Sequence, residues 1–405
     1  MQIGGIETYI YKMVKYLKNQ SVLTGMAHCD GSNVATAFYD ELYDGETIIW
    51  SRNINRRELE SIVKTNNVSN IKIITFTPAT FVLAERIKRT FKHCIVDTFY
   101  YVPNFTKTEY YYEGAYSGCK SALVKRVMAN FFSKMNENSN IRYFAPNHID
   151  KMTETYGYQI QEEKSLLVPP TPHNTIFSEE RVRKVYNNET FNLLTVSRFE
   201  FPHKGYLIGL IKEFTKLKKI HPKSTLTIVG YGSGENLVRD TILQQPADVQ
   251  KDIVLVGAVS PDNLGDYYDK ANLNISVAGC CSTGAKRGVL SIPARHYTYD
   301  CEVYAPLPES RNLITSTLPG NPVLPIIESI LQMSYDEYYQ LSKKSFDAYN
   351  VDTESNILET SNIDPNKTIS RYDDICVRCI YHGIQLKSLI NSLLKHLHEV
   401  VYEKQ

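Results

Sequence analysis

Residues 191–234 read FNLLTVSRFEFPHKGYLIGLIKEFTKLKKIHPKSTLTIVGYGSG, and their order decides the fold. Phe191, Leu193, Leu194 and Val196 form an apolar run of strand length. Leu207, Ile208, Leu210, Ile211, Phe214 and Leu217 then recur at helical spacing, and Pro222 closes that helix before a second apolar run, Leu226 to Val229. The result is one βαβ unit, so the chain is of α/β class with a parallel sheet. Ligands of such sheets sit beyond the carboxyl ends of the strands, where Arg198, Lys204 and the glycines Gly230, Gly232 and Gly234 fall. Two fixed cations beside a helix start, facing glycines that let backbone N–H groups approach, suit a diphosphate; a solvated basic loop is the alternative reading.

The stretch VSRFEFPHKGYLIGLIKEF followed by LTIVGYGSG resembles the donor-binding signature of retaining glycosyltransferases of the GT-B fold, family four. DIVLVGAVSPDNLGDYYDKANLNISV resembles the strand, helix and strand that come next in the family, and Gly4-Gly5-Ile6-Glu7 resembles the glycine turn opening the N-terminal domain. The resemblance implies two Rossmann-like domains facing across a cleft. An acceptor-side domain would span residues 1–177 and a nucleotide-sugar domain residues 178–405, with the last helix returning to the first domain. It also implies a nucleotide-sugar donor as substrate, no cofactor and no metal. Arg198 and Lys204 would stabilise the departing nucleoside diphosphate, and Gly4, Gly5, Gly230, Gly232 and Gly234 would line the donor.

Composition agrees with a large globular enzyme. The 405 residues are 42% hydrophobic and 22% charged, enough for two cores, and a net charge of +1 argues against nucleic acid as a partner. No apolar window is long enough to span a bilayer, and MQIGGIETYIYKM lacks a signal peptide's apolar core, so a cytoplasmic location is expected. The eight cysteines are scattered. Cys376 and Cys379 form a lone CxxC with Cys379 and His382 at helical spacing, which reads as buried structural thiols rather than zinc ligands.

Along the chain, Ile6, Ile10, Met13, Val14 and Leu17 mark a first helix. Only three residues precede the glycine turn, where the family has a buried strand, so upstream sequence encoding that strand is expected. Strand and helix signals then alternate: strands at Thr47 to Trp50, Ile71 to Phe76 and Cys94 to Thr98, with a helix from Pro78 to Thr90. A glycine loop at 114–118 precedes a helix from Lys120 to Met135, and further strands read at Ile141 to Ala145 and Leu166 to Val168. Pro169 to Pro172 mark a hinge. Pro325 to Asn350 carries one long helical pattern, Asp352 to Asp374 reads as a surface loop, and Gln385 to Tyr402 as a last helix.

The family's glutamate pair is replaced here. Thr283 and Ser291 stand at its spacing, while Gly284, Lys286, Arg287 and Gly288, read as lying between a strand and a following helix, offer an anion-binding arrangement or a solvated turn. Arg295 and His296 then fall on that following helix in surface or capping roles. Asp97, at the end of its strand, is the acceptor-side candidate in place of a family histidine, with a turn cap as the alternative. The leading function is transfer of a hexose to a growing glycan of cell-surface polysaccharide, on a free or lipid-linked acceptor. A catalytically inactive nucleotide-sugar-binding subunit and a sugar-nucleotide epimerase are the alternatives. On the helix from Lys120, the stripe Leu123, Val127, Phe131 and Met135, edged by Lys120, Lys125, Arg126 and Lys134, reads either as core or as a peripheral contact with the inner membrane face.

Overall fold

The computed structural model describes residues 5–28, 48–51, 56–91, 94–102, 119–144, 146–157, 159–160, 176–260, 262–350, 368–380 and 382–383. The chain divides into two compact units. One is built on residues 171–353 and takes in residues 1–11 and 33–44; the other is built on residues 12–32 and 45–170 and takes in the chain from residue 354 onward. The division at 170/171 falls in the proline hinge, seven residues before the expected boundary, and the C-terminal segment belongs to the first half of the chain.

Helix α1 (Gly5–Asn19), which the division splits after Tyr11, leads in the N-terminal unit to a parallel pair, β1 (Gly25–His28) and β2 (Ile48–Ser51). Then come α2 (Arg56–Thr65), β3 (Asn70–Thr75), α3 (Pro78–Thr90), β4 (Ile95–Val102), α4 (Cys119–Glu137), β5 (Ile141–Tyr143) and α5 (Pro146–Tyr156). Strands β3, β4 and β5 form a parallel sheet in that order. Helix α3 starts where Thr77 and Thr80 cap one another in a reciprocal box and Pro78 supplies a preset φ at the first position.

Helix α4 takes the core alternative, and two expectations change here. Val124, Met128, Phe131, Phe132 and Met135 of α4 are buried in one core with Phe81, Tyr100 and Ile141, so the apolar face of α4 covers its own sheet. Leu123 alone of the proposed membrane stripe is largely exposed. Residues 371–374, expected as the end of a loop, begin a helix that runs to 380, and Ile369, Val377 and Ile380 join the same core. Acidic anchors fix this helix. Asp374 accepts from Arg86 at 3.1 Å, Arg89 at 2.9 Å and Arg378 at 2.6 Å; Asp373 pairs with Lys134 at 2.8 Å. The buried Glu85 carboxylate accepts from the Ile369 N–H at 2.9 Å and from the Thr98 hydroxyl. Cys376 lies half-buried on this helix and Cys379 is exposed, so the pair does not form the buried thiols expected. Gly4, the glycine loop 114–118, the run 166–168 and the last helix 385–402 lie outside the described residues.

The C-terminal unit is a five-stranded parallel sheet in the order β10-β9-β6-β7-β8: β6 (Phe191–Val196), β7 (Ser224–Val229), β8 (Ile253–Gly257), β9 (Leu273–Ser276) and β10 (Leu290–Pro293). Its helices are α6 (Glu179–Tyr186), α7 (Tyr206–Ile220), α8 (Glu235–Leu243), α9 (Gly265–Asp269), α10 (Ala278–Lys286), α11 (Val323–Leu331) and α12 (Tyr335–Tyr349). Strands β6, β9 and β10 are almost wholly buried, as expected when helices cover both faces of a parallel sheet. The long pattern 325–350 is two helices, because Ser334 and Glu337 form a capping box that starts α12 afresh.

Candidate functional site

The order in which strands are added reverses at β6. Strand β7 pairs on one side of it and β9 on the other, through Leu193–Leu273 and Leu194–Asn274, so the carboxyl ends of β6 and β9 flank the topological switch point. Connections leave that point toward opposite faces and open a crevice between them. The residues there are the loop after β6, which carries Arg198 and Lys204, and the start of α10.

The loops after β6 and β7 are locked together. Ser197 N–H donates to the Val229 carbonyl at 3.0 Å, Phe199 N–H to Tyr231 at 2.8 Å, and Gly234 N–H back to Phe199 at 2.9 Å. A Cβ on Gly230 would overlap the Ser197 carbonyl, and one on Gly232 would lie 2.7 Å from the Phe199 carbonyl oxygen. Gly230 N–H donates to Gly257 at 2.9 Å. The donors of Gly230 and Gly234 are therefore spent on protein carbonyls, and these glycines permit close packing of the two loops.

The two cations differ in setting. Arg198 keeps 27% of its side chain exposed and places Nη2 3.1 Å from Glu200 Oε2. Lys204 is only 8% exposed. Burial pushes its ammonium down to about 8; Cys280 and Glu200 oppose that shift and Arg198 adds to it. Among the described residues no carboxylate lies within ion-pair distance of its Nζ. A buried cation without a counter-ion is costly, so this position is prepared for an anion.

Opposite it begins α10. Val277 gives the helix no side-chain cap, Ala278 adopts a left-handed φ of 51° and donates to Ile314 at 2.7 Å, and a Cβ on Gly279 would meet nothing within 4 Å. Gly279 and Cys280 thus stand in the first turn at the positive end of the helix, with open space beside Gly279. The Cys280 carbonyl is held by the Tyr268 hydroxyl at 2.8 Å and by Asn274 Nδ2 at 3.3 Å, which fixes this turn on the sheet. The sequence carried one signal for it, a strand expected to end near Val277, just before Ala278-Gly279. Beside Lys204, His203 Nε2 lies 2.9 Å from His296 Nδ1 and its ring stacks on Tyr297.

Lys286 and Arg287 do not form the expected anion site. They lie at the carboxyl end of α10, where exposed carbonyls repel anions, and Arg287 binds Asp269 through Nε–Oδ1 at 3.0 Å and Nη2–Oδ2 at 2.6 Å. Lys286 likewise has a partner. Gly288, at φ 70°, ends the helix, and the next element is strand β10 rather than a helix. Ser291 is buried in that strand against Asn274, and Thr283 donates to the Gly279 carbonyl. Arg295 pairs with Glu302 at 2.9 Å, and neither it nor the buried His296 is helical.

In the N-terminal unit Asp97 is the third residue of an eight-residue strand, not its end. It faces Lys72 across the register, burial raises its pKa against the pull of Lys88 and Lys72, and its Oδ1 is buried without a hydrogen-bond partner. The carboxyl edge of that sheet instead carries His148, in the first turn of α5 beside Val102, the last residue of β4. Burial, helped by Lys151 and opposed by the Val102 backbone, holds its pKa down to about 4. Nothing in the periodicity around residue 148 singled it out. Gly5 is the first residue of α1.

No protein-family model matches this chain, and no curated protein matches it in sequence. Solved structures do match in shape. HepE from Anabaena, crystallised with UDP and glucose, superposes with a TM-score of 0.55 at 12% identity, over 85% of this chain and 91% of that one. Sucrose-phosphate synthase from Thermosynechococcus elongatus superposes at 0.50 and 12% identity, over 98% of this chain and 94% of that one. Parallel sheets with helices and these matches over most of the chain give it the fold of the GT-B glycosyltransferases.

Proposed function

We propose that the chain transfers a sugar from a nucleotide-sugar donor to a glycan acceptor, with the donor diphosphate held between Lys204, Arg198 and the start of α10. The observation that carries this reading is the buried ammonium of Lys204, which among the described residues has no carboxylate partner and sits at the switch point of the sheet. When the bond from the anomeric carbon to the outer phosphate breaks, charge builds on that phosphate. Lys204 meets it as a point charge, Arg198 as a planar fork after releasing Glu200, and the amino end of α10 as a fixed dipole. Lys204 and the helix end are set before reaction and Arg198 joins them on leaving Glu200, so the site binds the departing diphosphate more tightly than the intact donor, which lowers the barrier. The donor is the substrate, and the reading includes no resident cofactor or metal.

Retention of anomeric configuration, hexose as the sugar and a role in polysaccharide assembly come from the family resemblance and complete the proposal. On the acceptor side His148 is a better candidate than Asp97, since it lies at the carboxyl edge of its sheet and is neutral at physiological pH. A thermal-shift screen against nucleotide sugars tests the core of the reading, because a ligand of the folded state raises the melting temperature. A stabilising donor whose nucleoside diphosphate is released only with an acceptor glycan supports it. Isomerisation of the donor without acceptor would point to an epimerase, and no stabilisation by any nucleotide sugar at millimolar concentration would end it.

A further inference from the structure

Next to Lys204 two loops stack their aromatic rings and leave the outer ring of each stack half in solvent. Tyr297 lies on His203 with ring centroids 4.9 Å apart and planes at 27°, and Tyr299 lies on Phe201 at 6.2 Å and 27°. Although one face of each tyrosine is covered in this way, Tyr297 remains 52% exposed and Tyr299 46%. Tyr297 also holds a left-handed backbone, φ 57°, which a bulky side chain rarely adopts and glycine would accept freely. The surroundings maintain it. The Tyr297 N–H donates to the His203 carbonyl at 3.2 Å, and the carbonyl of the next residue, Thr298, sits so close to Gly205 that a Cβ there would lie 2.4 Å from it. His203 is braced in turn by His296, 2.9 Å away. Strain of this kind persists where the side chain it presents has a task, and a half-exposed ring adds little to a core.

The charged groups beside the rings select the ligand. Glu200 Oε2 stands 3.8 Å from His203 Nδ1, with 42% of the Glu200 side chain exposed, and the exposed Asp300 follows Tyr299. Carboxylates at both ends of the row accept from hydroxyls and repel a phosphate or an anionic lipid surface. A pyranose joins an apolar C–H face to a rim of hydroxyls, which matches an aromatic floor edged by carboxylates, and tyrosine supplies that floor as a large, rigid surface with little entropy to lose. We propose that Tyr297 and Tyr299 form a carbohydrate platform that takes two neighbouring pyranose rings of a glycan, with Glu200 and Asp300 accepting from their hydroxyls. Since His203 directly precedes Lys204, a glycan on the platform lies beside the anion site. Its role as acceptor rests on the glycosyl-transfer reading, in which Arg198 leaves Glu200 for the diphosphate and frees that carboxylate for a hydroxyl.

Titration calorimetry of the full chain without nucleotide, against maltohexaose, cellohexaose and chitohexaose, is expected to show binding of at least one at millimolar concentration or below. Tyr297→Asn, whose new side chain tolerates the left-handed backbone, and Tyr299→Ser should each weaken that binding about five- to ten-fold, the size of one aromatic stack. Tyr297→Phe should retain it, and circular dichroism checks that all three variants fold. UDP affinity should stay at the wild-type value in Tyr297→Asn. Failure of all three oligosaccharides to bind, or undiminished affinity in a folded Tyr297→Asn, overturns the platform. So does a loss of UDP affinity in Tyr297→Asn as large as the loss for the oligosaccharide, because the ring then serves the nucleotide. The two readings fail separately: oligosaccharide binding that needs Tyr297, in a protein that no nucleotide sugar stabilises, upholds the platform and removes the donor, while UDP binding without oligosaccharide binding does the reverse.

Discussion

His203 and His296, on loops that come after different strands, share a hydrogen bond of 2.9 Å between Nε2 and Nδ1. Burial drives both rings toward the neutral form, His203 to about 4 and His296 to about 3, and Lys204 pushes each further the same way. An unfolded histidine titrates near 6.5, so between about pH 6.5 and 4 the unfolded chain binds more protons than the folded one. Stability is then full above pH 6.5 and falls as the pH drops, by up to roughly 3 kcal/mol for one such ring. Urea unfolding of wild type and His296→Gln at pH 7 and 4.5 checks this: the variant should lose less stability on acidification. Equal losses would show that the pair does not titrate as its burial demands.

Lys204 imposes the opposite pH window on ligand binding. With its ammonium pushed down to about 8, the donor-free protein loses this charge as the pH rises through 8, whereas a bound diphosphate restores it. UDP affinity should be flat up to about pH 7.5 and fall above it, with proton uptake on binding near pH 8 visible as a buffer-dependent enthalpy. Lys204→Arg should remove the fall, since a guanidinium stays charged. Wild-type affinity independent of pH from 7 to 9.5 would place the phosphate away from this lysine.

At saturating acceptor, Lys204→Ala and Arg198→Ala should each cost about 2 to 4 kcal/mol of transition-state stabilisation in kcat/KM, the size of a single lost oxyanion donor. Arg198→Ala is expected at the lower end, because Arg198 is partly exposed and must first leave Glu200. Turnover at the wild-type rate in either variant would remove that residue from the site.

The glycines separate packing from openness. Gly230→Ala forces a Cβ into the Ser197 carbonyl and should destabilise the fold by about 2 to 3 kcal/mol, within the range for overpacking. Gly279→Ala meets open space inside a helix and should be neutral or stabilising by up to about 1 kcal/mol. Equal melting temperatures for the two variants would contradict the locked packing of the two loops.

Asp374 gathers Arg86, Arg89 and Arg378 while only 6% of its own side chain is exposed. Asp374→Asn should cost about 2 kcal/mol, less than a fully buried pair because the arginines keep water contact. Limited proteolysis should then cut near residues 371–380 first; an unchanged digestion pattern would show that the apolar contacts of Val377 and Ile380 suffice.

The sequence by itself determined the local elements and their class. The apolar run from Phe191, the helical period from Leu207 and the run from Leu226 fixed the βαβ unit, because side-chain periodicity records which face each element must bury. It also exposed Arg198 and Lys204 at the end of a strand. The break before α12 was legible as Ser334-x-x-Glu337, although the apolar pattern on either side masked it. What only the tertiary structure decided was adjacency across long stretches of chain. No pattern in the sequence states that β9 pairs with β6, which is what brings the start of α10 opposite Lys204, or that Ile369 and Val377 complete the core of the other unit. Hydrogen-bond direction was hidden for the same reason: Gly230 and Gly234 have the composition of a ligand loop, but their N–H groups find carbonyls on Gly257 and Phe199. Lys286 and Arg287 look like an anion site until the helix is seen to end, not begin, at those residues. Periodicity is a local property of the chain. Electrostatic sign at a helix terminus, and the partner of a buried charge, depend on which distant segments the fold brings together.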